Sequence, residues 1–134
     1  MISSSIFINN TSEYGTIFNV PFINDKSAYG IMVNNCQFTN NTASKYGGVI
    51  YSLGEFNNKH VNFYNCNFYD NHAKLGNVLY SYSSMSSPIM NNCNLNSNDI
   101  VTLPTYFEVD EYSYEGDEIS ILSGENIPEG ITCK

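Results

Sequence analysis

The side chains of this 134-residue chain best suited to chemistry are four cysteines, two histidines and thirteen acids. Cys36, Cys66 and Cys93 stand 30 and 27 residues apart, with no Cys-x-x-Cys and no histidine beside any of them. Zinc sites draw on closely spaced Cys and His ligands, so this spacing argues against a metal centre, and no cofactor is expected. Isolated thiols at near-regular intervals read instead as small, buried, free core residues. A Cys36–Cys66 disulfide is the alternative, disfavoured because in-register neighbours would stay near the strand spacing. Cys133 stands apart with no identified partner. The compact polar cluster Asp70-Asn71-His72, followed by Lys74, reads as a solvated turn. A polysaccharide lyase would want Ca²⁺-binding carboxylates and a basic side chain, and a hydrolase a pair of carboxylates at a set distance. The chain has no Arg, and residues 1–102 carry only five acids. The expectation is a protein that is not an enzyme.

Composition narrows the classes further. There are 21 Asn and 16 Ser, no Trp, 11 Tyr and 8 Phe, and a net charge of -8. That charge repels phosphate, and without Arg there is no bidentate contact to offer, so nucleic acid is excluded as a partner. No apolar run approaches the ~20 residues that span a bilayer. Asn and Ser compete with the helix backbone, which disfavours a helical bundle. The charge is also uneven. Residues 1–102 hold five acids against four lysines, whereas residues 103–134 hold eight acids against Lys134. Two regimes therefore meet near Leu103-Pro104.

The elements that position these residues come from an internal repeat. Asn35-Cys36-Gln37-Phe38-Thr39-Asn40-Asn41, Asn65-Cys66-Asn67-Phe68-Tyr69-Asp70-Asn71 and Asn92-Cys93-Asn94-Leu95-Asn96-Ser97-Asn98 share Asn-Cys-x-Phe/Leu-x-x-Asn. A weaker copy, Ser5-Ile6-Phe7-Ile8-Asn9-Asn10, opens the chain. A second motif follows the first three copies as Tyr14-Gly15-Thr16-Ile17-Phe18, Tyr46-Gly47-Gly48-Val49-Ile50 and Leu75-Gly76-Asn77-Val78-Leu79. The last copy lacks it. An apolar pair precedes each Cys: Ile31/Val33, Val61/Phe63 and Pro88/Met90.

Residues two apart share a strand face, but the upstream pair and the Cys/Phe pair are out of phase by one residue. A left-handed bend at Asn35, Asn65 and Asn92 restores the inward direction, and Asn tolerates that conformation. Each repeat then reads strand, bend, short strand, Asn-bearing turn, Gly, strand. Stacked coils of this kind form an all-β parallel β-helix of about 3.5 coils over residues 1–102, with repeats of ~27–31 residues. Equivalent residues align into columns: Cys36, Cys66 and Cys93; Phe7, Phe38, Phe68 and Leu95; Asn10, Asn41, Asn71 and Asn98. The stretches 19–29, 53–60 and 82–87 are the expected length-variable loops.

The linked motifs Phe38-Thr39-Asn40-Asn41 and Gly47-Gly48-Val49-Ile50, with a degenerate copy at Phe68-Tyr69-Asp70-Asn71 and Gly76-Asn77-Val78-Leu79, resemble the repeat of the polymorphic outer membrane proteins and related adhesin-like proteins. The resemblance covers roughly residues 5–102. It implies a right-handed parallel β-helix of the pectin-lyase-like type on a secreted or surface-displayed protein, often adhesive. Only one copy has the full Gly-Gly.

On that scaffold the expected function is a non-catalytic stalk or adhesive segment of an extracellular or cell-surface protein. The alternative is a carbohydrate-binding or polysaccharide-degrading β-helix. The candidate binding face is aromatic: Tyr51 and Tyr80 occupy equivalent positions and are expected on an exposed sheet face, open to a glycan or a protein. Sequons at Asn9, Asn10 and Asn40 make Asn40 the candidate glycosylation position. The acidic, β-rich segment 103–134 is expected either to cap the last coil or to begin another β domain. The bare first coil suggests further coils in a longer chain.

Overall fold

The computed structural model describes residues 1–103 and two short strands, 107–109 and 131–133. Met1–Leu103 form one compact unit and Pro104–Lys134 a second. The first unit is a parallel β-solenoid of about three turns, built from four walls of short strands.

The first wall contains β1 (Ile2–Ser3), β5 (Ile31–Asn34), β9 (Val61–Tyr64) and β12 (Ile89–Asn91). The second contains β2 (Ile6–Ile8), β6 (Gln37–Thr39) and β10 (Asn67–Tyr69). In the third, β3 (Thr11–Tyr14) pairs with β7 (Thr42–Tyr46), and bridges Thr42–His72 and Tyr46–Leu75 carry the pairing one coil further. The fourth contains β4 (Phe18–Val20), β8 (Ile50–Ser52), β11 (Leu79–Ser81) and β13 (Ile100–Thr102). Every pairing among these walls is parallel and joins equivalent repeat positions: Phe7 with Phe38, Phe38 with Phe68, Phe18 with Ile50, Ile50 with Leu79.

Three corners per coil turn on left-handed backbone. The first is at Ser4, Asn35, Asn65 and Asn92, with φ of 48–51°, and it re-aims the chain as the out-of-phase apolar pairs require. A second, which the repeat pattern did not disclose, lies at Asn9, Asn40 and Asp70. The third is at Gly15, Gly47 and Gly76. Only this last corner excludes a side chain: a Cβ on Gly76 would sit 2.2 Å from Leu79 O. The two Asn-type corners face outward, where a short polar side chain costs little, and Asn40 bonds to Asn9 and Asn92 to Asn65.

The interior is layered. Val33, Phe38, Val49, Ile50, Val61, Phe63, Cys66 and Leu79 are fully buried. Phe38 lies between Phe7 and Phe68 with ring centroids 5.0 Å apart on both sides and planes nearly parallel. That separation is close to the ~4.8 Å between paired strands, so the stack follows directly from the register. Phe63 and Phe18 meet it edge-on.

The last coil departs from the expected pattern. Without a Gly motif, Ile100, Val101 and Thr102 still pair with Leu79, Tyr80 and Ser81, because Asp99 O accepts from Val78 and Leu79 and guides the chain into register. Around Leu95, by contrast, there is no regular strand; its side chain is half-buried against the core. The loop at 53–60 holds a four-residue helix, α1 (Asn57–His60), anchored by the buried Asn57 side chain to Val20 O and Ser52 Oγ.

In the second unit β14 (Phe107–Val109) pairs antiparallel with β15 (Ile131–Cys133). Whether segment 103–134 caps the solenoid, and any partner of the Cys133 side chain, lie outside the described residues.

Candidate functional site

The inward asparagines form a hydrogen-bonded ladder along the solenoid. Asn10 Nδ2 donates to Asn41 Oδ1 at 2.8 Å, and Asn41 Nδ2 to Asn71 Oδ1 at 3.0 Å. Asn41 and Asn71 are buried, so these amides satisfy backbone groups where the coil turns. Asn98 does not extend the ladder. It is exposed in a turn, where its carbonyl oxygen accepts from Asn77 N–H at 3.2 Å. The shortened last repeat shifts the work to Asn94, whose Oδ1 accepts from Phe68 N–H at 2.7 Å and whose Nδ2 donates to Phe68 O at 3.0 Å. A side-chain amide thus stands where the next strand's peptide would pair, closing the exposed edge of β10. An Asn between the Cys and the Leu of the last copy was the available signal for it.

Cys36, Cys66 and Cys93 are free thiols, the first two 1% and 0% exposed and the third half-buried. The sulfur of Cys66 lies 3.4 Å from Tyr64 O and that of Cys36 3.2 Å from Asn34 O. Burial pushes the Cys66 and Cys93 thiols above the usual range, which disfavours the thiolate needed for attack or metal binding. Asp70 and His72 are exposed on either side of the buried Asn71, at the corner and bridge positions of their coil. Among the described residues no group of three or more His, Cys, Asp or Glu could hold a metal ion.

The tyrosines are arranged differently from an open binding face. Tyr51 and Tyr80 are in register, with ring centroids 5.9 Å apart and planes 9° from parallel. Tyr46 packs on Tyr80 at 4.7 Å and Tyr14 on Tyr51 at 5.0 Å. Tyr80 is consequently only 5% exposed, and Tyr51 is half-buried. Outward projection from a wall exposes a ring only when neighbouring rows are small; here the bulky rows on β3 and β7 fold over it. Desolvation raises the hydroxyl pKa of both Tyr51 and Tyr80. Lys45 borders the cluster, bonded to Tyr14 Oη at 3.1 Å and ion-paired with Glu13, and both contacts hold its ammonium protonated.

Asn40 is exposed at its left-handed corner, and its Nδ2, the atom a glycan would take, donates to Asn9 Oδ1 at 2.7 Å. The described residues include no helix long and apolar enough to cross a membrane.

Neither the curated proteins nor the solved structures give a match to this chain. Residues 35–53 match the family model of the Chlamydia polymorphic membrane protein repeat. The matched stretch runs from the Asn35 bend through β6, β7 and the Gly47 corner to the end of β8, three of the four walls of one coil. With the parallel register of its first unit, this chain carries a β-helix repeat like that of the polymorphic membrane proteins.

Proposed function

We propose that this chain is a non-catalytic segment of a secreted or cell-surface repeat protein, serving as a stalk or as an adhesin-like interaction surface. The observation that carries the reading is the coincidence of the matched repeat, residues 35–53, with one coil of a solenoid whose other coils repeat the same register. A stack of this kind grows along one axis and presents long, regular outer walls. Several of its polar side chains take part in construction: Asn10, Asn41 and Asn71 bond between coils, and burial disfavours the thiolate of Cys66.

Surface display is tested on intact, unpermeabilised source cells with an antibody against the solenoid. The expected result is staining that disappears when the intact cells are treated with protease. Staining that requires permeabilisation overturns the proposal.

A further inference from the structure

The outer side of the first corner is concave. One hollow of about 400 Å³ is lined by residues that include Asn35, Gln37, Asn65 and Asn67, and a second of about 330 Å³ by residues that include Asn65, Asn67 and Asn92. The two share Asn65 and Asn67, so they join into one groove that runs along the solenoid axis across successive coils. No residue lining either hollow is charged, in a chain whose net charge is -8.

The amides in this groove are not all committed. Asn92 Nδ2 donates to Asn65 Oδ1 at 2.7 Å, while the Nδ2 of the exposed Asn65 has no partner among the described residues. The side chains of Asn35 and Asn67 have no hydrogen-bond partner among the described residues, and both residues are exposed. Each amide offers both a donor and an acceptor. The rows recur at the strand spacing, ~4.8 Å, about the length of one sugar ring in a linear chain. Tyr69, 46% exposed, is two residues from Asn67 on the same outward side of β10, though it lines neither hollow.

We infer that this axial groove binds a linear neutral glycan, one sugar per coil, with the amides of Asn35, Asn65 and Asn67 pairing to its hydroxyls. Neutral hydroxyls match amides that donate and accept together, whereas a charged polymer would find no counter-charge in the groove. An open trough suits an extended polymer rather than a small enclosed ligand. The inference deepens the proposed surface role by naming the ligand class, and it moves the contact surface from the packed tyrosines to the uncharged outer side of the first corner.

The test is a titration of the folded protein with length series of cello-, xylo-, manno- and chito-oligosaccharides, read by NMR on side-chain and backbone amides, with oligogalacturonate as the charged control. The expected result is that one neutral series shifts Asn35, Asn65 and Asn67, with affinity rising as the oligomer lengthens. The double variant Asn35→Gly/Asn67→Ala, which keeps a residue tolerant of the bend, should weaken binding about tenfold while Asn19→Ala leaves it unchanged. Shifts by no neutral series, equal binding of oligogalacturonate, or wild-type affinity in a folded double variant each overturn the inference. Failure here with protease-sensitive surface staining intact would refute the glycan alone. Glycan binding by a protein absent from the cell surface would refute the surface role alone.

Discussion

The backbone N–H and the side-chain Nδ2 of Asn41 converge on one atom, Asn71 Oδ1, at 3.1 and 3.0 Å. The other Nδ2 proton goes to Phe7 O at 3.1 Å, while Asn41 Oδ1 accepts both the N–H and the Nδ2 of Asn10. Both donors and both lone pairs of one side chain are therefore used, and three coils are tied at a single buried point. Replacing Asn41 by Ala leaves the buried Asn71 on one side and the half-buried Asn10 and Phe7 on the other with unpaired groups. The expected loss is about 3 kcal/mol, read by chemical denaturation. Asn41→Asp keeps the size but sets an acceptor against Asn71 Oδ1, and should be at least as damaging at neutral pH.

The left-handed corners predict a contrast between two kinds of position. Asn35→Gly should be nearly neutral and Asn35→Ala should cost about 1 kcal/mol, because only the bend conformation is at stake. Gly76→Ala should cost more, since its Cβ would also meet Leu79 O at 2.2 Å. Thermal melts of the three variants measure the order.

The tyrosine cluster predicts a loss of stability in alkali. Burial raises the folded-state pKa of Tyr51 and Tyr80, so both stay neutral in the fold above the ordinary value near 10. A raised folded pKa means that the contribution is fully present below the unfolded value and is lost as pH rises through the folded one. Denaturation midpoints should thus hold up to about pH 10 and fall beyond it. Tyr80→Phe should shrink that fall with little change at neutral pH; an unchanged alkaline profile would argue against the packed arrangement.

Thiol labelling tests the core directly. Cys36 and Cys66 are 1% and 0% exposed and Cys93 is half-buried. Alkylation followed by mass spectrometry in rising urea should modify Cys93 first. Cys36 and Cys66 should react only in the cooperative unfolding transition. Early modification of Cys66 would contradict the stack.

The stack itself is most exposed to test at Phe38. Its ring has a neighbour on each face and two more at its edges. Phe38→Ala should cost about 3–5 kcal/mol, and Phe38→Leu less, because Leu refills part of the volume. Denaturant titration of both variants gives the comparison.

Most of the solenoid was legible in the sequence because its register repeats locally. The phase slip between Val33 and Cys36 called for a left-handed residue, and Asn35 has a φ of 51°. A period of about one coil placed Phe7, Phe38 and Phe68 above one another, as the 5.0 Å stacking distances record. These features depend on chain geometry and on which face is apolar, and both are written in neighbouring residues.

What only the tertiary structure decided involves groups brought together from different walls or from an incomplete coil. Tyr80 resembles an exposed strand residue by its position, yet Tyr46 from β7 covers it. Asn98 fits the repeat pattern but falls outside the ladder, because the last coil takes 11 residues from Ile89 to Ile100 where the coil before takes 17 from Asn62 to Leu79, and Asn94 serves the edge instead. The axial groove is likewise invisible in one repeat, since its walls exist only when coils stack. Repetition therefore determined the coil from sequence alone, whereas closure of the ends and the shape of the outer surface depended on which side chains the stacking left uncovered.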